Sequence, residues 1–416
     1  MMSDNTKTEL PLDEAATRLE RRRSQGQRPK RKKTWRVILF TLSALVLVGV
    51  GLGVYYASSL KQSFQNSYSS TGLKSEKAAS ALIKDKKPIS FLVLGTDTGT
   101  SGGFGADRDR SGLTDSLMLV TVNPQKETTT MISVPRDIMT SISGFEASFP
   151  QKLNAAYAFK ETSDDQASLG DGVGTTIATI QDMFNVPINY YAMVNMSGLG
   201  DVVDQLGGIQ AKSPLTFRFS QDTAHETGGN LYRFTEGEST YSYAADGVNF
   251  KTYDTMDGKA ALAFSRMRYE DPKGDYGRTQ RQRILLEAIM NKVKKNPTTI
   301  LNTKFINATT KNIASDLQMS DMLALGSNYI DATKHIESYT VQGEGEMYQG
   351  VSYQRVTTAQ RQAVTNTVRS ALGLKAATTG SEFGSEITPT QLAQVGSADD
   401  LYPSSDTTSN EKLPNN

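Results

Sequence analysis

Residues 35–56, WRVILFTLSALVLVGVGLGVYY, carry one charge, Arg36, and are otherwise apolar, small or hydroxylated. About 20 residues of this kind cross a bilayer as a helix. Trp35 at one end and Tyr55 and Tyr56 at the other fit the aromatic belts of the two interfaces. A cleaved signal peptide is the rival reading, but the run is too long and lacks a convincing small-x-small cleavage site. Ten basic residues lie between Arg18 and Arg36. By the positive-inside bias, residues 1–34 form a basic cytoplasmic tail, 35–56 one transmembrane helix, and all that follows lies outside. The expected topology is single-pass type II in the cell membrane.

Charge supports this division. The 416 residues sum to +1, but residues 1–36 hold eleven Lys/Arg against five Asp/Glu, or +6, which leaves the remainder at −5. A net acidic body has no basic footprint for nucleic acid, and no helix-turn-helix pattern adjoins the basic arm. No cysteine is present, which excludes disulfides, thiol catalysis and cysteine-bound metal.

Residues 57–87 are polar and Ser/Lys-rich and read as a stalk. After Pro88, ISFLVLG (89–95) has the pattern of a buried strand. SLMLVTVN (116–123) and TTMISVPR (129–136) predict a hairpin around Asn123-Pro124-Gln125-Lys126. Helices are predicted over 175–184, 198–208, 279–295, 320–333 and 357–373, and strands over 188–195, 209–214 and 335–341. Strands and helices mix throughout, so 88–374 is expected to be a single mixed-sheet α/β domain. Residues 375–416, rich in Ser, Thr, Gly and Asp without periodicity, read as a disordered tail.

The chemistry concentrates in Phe264–Arg283, FSRMRYEDPKGDYGRTQRQR, where Arg266, Arg268, Arg278, Arg281 and Arg283 stand among Glu270, Asp271 and Asp275. Guanidinium groups suit bidentate grips on phosphate oxygens. An exposed ion-pair network is the other reading of this stretch. Arg266 and Arg268 alternate on an expected strand end, whereas Arg278 and Gln282, four apart at a helix start, share a face. Asp97 follows the first strand and Asp115 precedes the second, as oxygen ligands for a hard cation would; an Asx-turn and a loop cap are the plainer alternatives. Arg136 ends the third strand, where it reaches a strand-end crevice or pairs with Asp137. His225 and His335 have no partner at metal or triad spacing, and no Gly-x-Ser-x-Gly elbow occurs. Two carboxylates and several arginines, without nucleophile or histidine base, suit phosphoryl-type transfer.

LVLGTDTG, TDSLMLVTVNPQKETTTMISVPRD, KLNAAYAF, INYYAMVN, VVDQLGG and LAFSRMRYEDPKGDYGRTQRQR, in that order over about 90–295, resemble the LytR–CpsA–Psr (LCP) family. The resemblance implies an α-β-α LCP domain with a hydrophobic cleft for a polyprenyl chain. It implies Mg²⁺ (or Mn²⁺) dependence and transfer of a teichoic acid or capsular polysaccharide from an undecaprenyl-pyrophosphate carrier to peptidoglycan, at the membrane of a Gram-positive bacterium. Asp97 and Asp115 would serve the metal. Arg136, Arg266, Arg268 and Arg278 would bind pyrophosphate with Gln282 beside them, and Asp275 would support the arginines. Asp115, Arg136, Arg266, Arg268 and Asp275 are the implied catalytic set. Many members carry Arg two residues before the loop aspartate, where this chain has Leu113. A non-catalytic envelope regulator, a lipid-pyrophosphate or glycan-binding module, and pyrophosphatase side activity are the competing readings.

Overall fold

The computed structural model describes residues 68–71, 76–96, 112–164, 167–296 and 312–402, with Phe305 and Leu413. The apolar segment 35–56 and Asp97 lie outside these residues. Among the described residues no helix is long and apolar enough to cross a membrane.

In chain order the elements begin with α1 (Glu76–Lys84), β1 (Ile89–Thr96), β2 (Thr114–Asn123), β3 (Thr128–Val134), β4 (Met139–Thr140), β5 (Gln151–Lys152), α2 (Ala156–Ser163), α3 (Leu169–Phe184), β6 (Tyr190–Asn195) and α4 (Met196–Gln205). There follow β7 (Phe217–Ser220), β8 (Leu231–Phe234), β9 (Tyr241–Ala244), β10 (Lys251–Tyr253), α5 (Gly258–Arg266), α6 (Asp275–Lys295), β11 (Ile313–Ser315), α7 (Met319–Asn328) and β12 (His335–Thr340). The last are β13 (Glu344–Tyr348), β14 (Val351–Arg355), α8 (Thr358–Ala371), α9 (Pro389–Val395) and α10 (Ala398–Leu401).

The central sheet runs β11-β6-β1-β2-β3-β12 and is mixed, β1 being antiparallel to β2 and parallel to β6. Alternation divides its side chains between two faces. Leu92, Leu94, Leu117, Leu119, Ile132 and Val134 share a core with Val173, Ile177 and Ile180 of α3 and Val364 and Val368 of α8. On the opposite face Met118, Val120 and Met131 meet Leu286 and Met290 of α6. Helices therefore cover both faces, as expected for an α-β-α domain.

Several segments depart from the expectations. Residues 209–214 form no strand; they are held by single bridges, Ile209 to Met256 and Ser213 to Glu236. Between α4 and α5 an antiparallel sheet, β10-β9-β8-β7, builds a second core in which Phe217 and Phe234 stack at 4.8 Å and both contact Phe264 of α5. Asp171-Gly172-Val173-Gly174 is the first part of α3, whose N-terminus Ser168 and Asp171 close with a capping box. The second half of the expected stalk is α1, which buries Ala79 and Ile83 against Tyr190 and Tyr329.

The tail expected to be disordered from 375 instead packs as far as 402. Ser141 N donates to the Phe383 carbonyl at 2.7 Å, and Phe383 meets Phe149 edge-on at 5.1 Å. Arg355, buried in β14, spans Glu346, Glu382 and the Val395 and Gly396 carbonyls. Gly380 sits where a Cβ would fall 1.8 Å from the Asp182 carbonyl oxygen, so only glycine permits the approach. A low-periodicity sequence concealed this docking because its contacts are carbonyls, one arginine clasp and isolated apolar residues such as Phe383 and Val395.

Candidate active site at the mouth of an apolar cleft

The site begins with an irregularity in β2. Gly95 faces Ser116 across the β1–β2 ladder and Thr96 faces Thr114, which leaves Asp115 as an extra residue in a β-bulge. Bulges redirect side chains, often beside active sites. The Asp115 Oδ1 here meets Nη1 of Arg136, which leaves β3 after Pro135. The pairing with Asp137 considered from sequence is only a distant contact of Arg136, at 3.8 Å.

From the other side come the start of α6 and the turn before it. Asp275 Oδ1 lies 2.8 Å from Arg278 Nη2 and 3.5 Å from Arg268 Nε, and its Oδ2 lies 3.7 Å from Arg136 Nε. Arg278 Nη2 also donates to the Asp115 carbonyl at 3.0 Å. Asp275 therefore spaces three guanidinium groups. None of its contacts through Oδ1 is aligned as a hydrogen bond, and the Nε atoms of Arg136 and Arg278 are also buried without hydrogen-bond partners among the described residues.

The electrostatics are uneven. Burial opposes the Arg136 charge, but Asp275, Asp115 and Asp137 outweigh it and raise its pKa above the ordinary arginine value. For Arg278 burial wins: despite Asp275 its pKa is lowered, and the neighbouring Arg136 charge contributes to this. An anion beside Arg278 would offset that cost of burial.

Arg266 is the exposed last residue of α5, not a strand residue, and Arg268 lies in the following turn. Their placement corrects the strand-end expectation; among the described residues Arg266 makes no ion pair, and Ser265 before it lines a cleft. Arg281 and Arg283 are scaffold. Arg281 is wholly buried, bonded to Asp271 and to the Phe264 and Met267 carbonyls. Gly277 makes room for that carboxylate, since a Cβ there would collide with Asp271 at 1.8 Å. Arg283 crosses the sheet end to Ser133 Oγ, Thr340 Oγ1 and the Tyr339 carbonyl.

The cleft holds about 240 Å³ between the sheet and helices α4, α5 and α6. Val93, Leu94, Met118, Val194, Leu199, Val202, Leu286 and Ile289 make most of its wall. Of its four polar members, Ser116, Ser265 and Gln282 directly adjoin or lie one helical turn from Asp115, Arg266 and Arg278, and the fourth is Asn195 at the end of β6. Along α6 one stripe runs Arg278, Gln282, Leu286, Ile289, from charge into apolar wall. Gln282 Oε1 is buried there without a partner among the described residues.

Among the described residues no three metal-ligating side chains converge. Mg²⁺ needs only one or two carboxylates when water and phosphate complete its shell. Asp115 fits that role: one oxygen is held by Arg136, and the other has no hydrogen bond among the described residues. His225, which has no partner at metal or triad spacing in the sequence, lies 2.9 Å through Nδ1 from Glu270 Oε1.

Residues 54–370 match the LytR_cpsA_psr family model. This chain belongs to that family. It is 33% identical over 346 residues to a "Polyisoprenyl-teichoic acid--peptidoglycan teichoic acid transferase TagU" of Enterococcus faecalis, covering 83% of this chain and 99% of that protein. The corresponding TagU of Bacillus subtilis is 33% identical, over 84% of this chain and 99% of that protein. The "Biofilm regulatory protein A" of Streptococcus mutans is 34% identical, over 82% of this chain and 77% of that protein. Protein gbs0355 of Streptococcus agalactiae superposes with TM-score 0.58 at 28% identity, covering 76% of this chain and 98% of that one. TagV of B. subtilis superposes with TM-score 0.52 at 25% identity, over 70% and 99%.

Proposed function

We propose that this chain is a phosphotransferase that moves a glycopolymer, as a phosphodiester, from a polyprenyl-pyrophosphate carrier to peptidoglycan. The observation carrying this reading is an adjacency: the apolar cleft is lined by Ser116, Ser265 and Gln282, which directly adjoin or lie one helical turn from Asp115, Arg266 and Arg278, next to the cluster in which Asp275 meets Arg136, Arg268 and Arg278. An amphiphile with a polyprenyl chain and an anionic head matches both halves, and teichoic acid transfer is what the TagU relatives are named for. The apolar segment 35–56 would tether the domain to the membrane that contains the carrier, on its outer side.

The four arginines bind the pyrophosphate and neutralise charge as it shifts toward the leaving phosphate. A peptidoglycan sugar hydroxyl attacks the phosphorus next to the glycan. Its oxygen forms the new phosphoester bond as the bond from that phosphorus to the bridging oxygen breaks, and polyprenyl phosphate departs. Asp275, the carboxylate that stands among Arg136, Arg268 and Arg278, receives the hydroxyl proton. Mg²⁺ (or Mn²⁺), held by Asp115 and Asp97, would supply further neutralisation of the pyrophosphate. Asp275→Asn is expected to lower transfer by about a hundredfold or more, the usual weight of a general base, without unfolding the protein. Chelation should abolish transfer and added Mg²⁺ restore it. Undiminished transfer by Asp275→Asn would remove that residue from the chemistry. Failure of purified wild-type protein to bind a polyprenyl pyrophosphate would overturn the whole reading and favour a regulator, the Streptococcus mutans relative being named a biofilm regulatory protein.

A further inference from the structure

Two cavities border the arginine cluster. The apolar cleft takes its strand residues from β6, β1 and β2, with Gln282, Leu286 and Ile289 of α6 in its wall. A second pocket, of about 30 Å³, takes its strand residues from β3, β12 and β14, with Asp275, Tyr276 and Thr279 from the start of α6. Because the central sheet runs β6-β1-β2-β3-β12, the two lie side by side along it, and they share no residue. Asp115 links them: Ser116 beside it lines the cleft, and its partner Arg136 lines the pocket.

The pocket suits an oxygen nucleophile. A space of this size admits a hydroxyl group but no sugar ring. Gln354 of β14 is fixed in its wall: Oε1 accepts from the Tyr276 hydroxyl at 3.0 Å, and that hydroxyl accepts from Gly343 N at 2.9 Å. The Gln354 Nε2 is left without a hydrogen bond among the described residues. It can donate to an incoming oxygen while Asp275, in the same wall, takes the proton. We propose that this pocket is the acceptor seat, through which a peptidoglycan sugar hydroxyl reaches the phosphorus with Gln354 holding its oxygen. Attacking and leaving oxygens lie roughly in line in phosphoryl transfer. A polyprenyl chain in the cleft draws the leaving phosphate toward Gln282, so attack comes from the side of Arg136 and Asp275. The hydroxyl oxygen forms the new bond to phosphorus, its proton passes to Asp275, and the bridging P–O bond breaks to release polyprenyl phosphate on the cleft side. The inference rests on the transferase reading above and adds where the second substrate enters.

The test uses full-length protein in detergent, undecaprenyl pyrophosphate bearing a disaccharide as donor, and uncrosslinked peptidoglycan strands as acceptor. Gln354→Leu removes the free donor, and Thr279→Leu, on a different element, narrows the pocket. Each should raise the KM for the strands by about tenfold, the scale of one hydrogen bond to a buried group. The amount of donor bound, read by mass measurement, and the thermal unfolding temperature should stay at the wild-type values. A wild-type KM in both variants, or donor binding that falls in step with transfer, overturns the acceptor seat. Failure of wild type to bind the donor would instead overturn the transferase reading.

Discussion

Burial and bonding partners together sort the five arginines between Phe264 and Arg283 into two jobs that their spacing does not reveal. Arg281 has no exposed side-chain surface and its partner Asp271 has 4%, whereas the Arg268 side chain is 39% exposed. Removing one member of a buried ion pair leaves an uncompensated charge. Arg281→Ala is therefore expected to destabilise the protein by about 3–5 kcal/mol, measured by denaturant unfolding. Arg268→Ala and Asp115→Ala should unfold close to wild type yet lose transfer. A fully stable Arg281→Ala protein would show that the Asp271 contact carries little. The sequence made the arginine cluster and its carboxylate partner Asp275 legible, and the motif singled out Arg278 and Gln282 on one face. It could not expose the role of Arg281, because two of its three partners are backbone carbonyls brought back by the turn after α5. Asp115 shows the same limit: its position was legible, but the bulge that turns it toward Arg136 is a property of the β1–β2 register.

Helix α6 joins the two halves of the site, with Arg278 at its charged end and Leu286 and Ile289 in the cleft wall. If the cleft holds the polyprenyl chain, narrowing it should weaken binding without touching the arginines. Val202→Trp on the facing helix α4 is expected to lower the amount of lipid-linked substrate bound, read by mass measurement of the purified protein, by about tenfold or more. Retained binding would place the lipid elsewhere. The elements least legible beforehand lie at the ends of the domain. Helix α1 looked like stalk because it lies in the polar, Ser/Lys-rich run 57–87, although Ala79 and Ile83 face the core. The C-terminal segment looked disordered because Phe383 and Val395 are isolated apolar residues in a polar stretch. Truncation after Lys375 would expose those surfaces and leave the buried Arg355 without Glu382, so it should lower the thermal unfolding temperature by several degrees. An unaltered unfolding temperature would restore the disordered-tail reading.

At the scale of the whole chain, a membrane segment and a lipid cleft would serve one purpose. A carrier confined to a bilayer is encountered more often by a domain tethered to that bilayer, because tethering raises effective concentration without adding a contact. The apolar run 35–56 contains no charge after Arg36, so two arginines at its centre would oppose insertion. The double variant Leu45→Arg and Leu47→Arg should leave the membrane fraction. Its transfer from carrier embedded in vesicles should fall by about tenfold or more, while transfer from carrier dissolved in detergent should match wild type. These two assays separate the tether from the active site: an equal loss in both would mean that the segment supports the fold of the outer domain. Equal rates in vesicles would mean that the domain finds its substrate without an anchor, and that the cleft and its arginine mouth suffice for recognition.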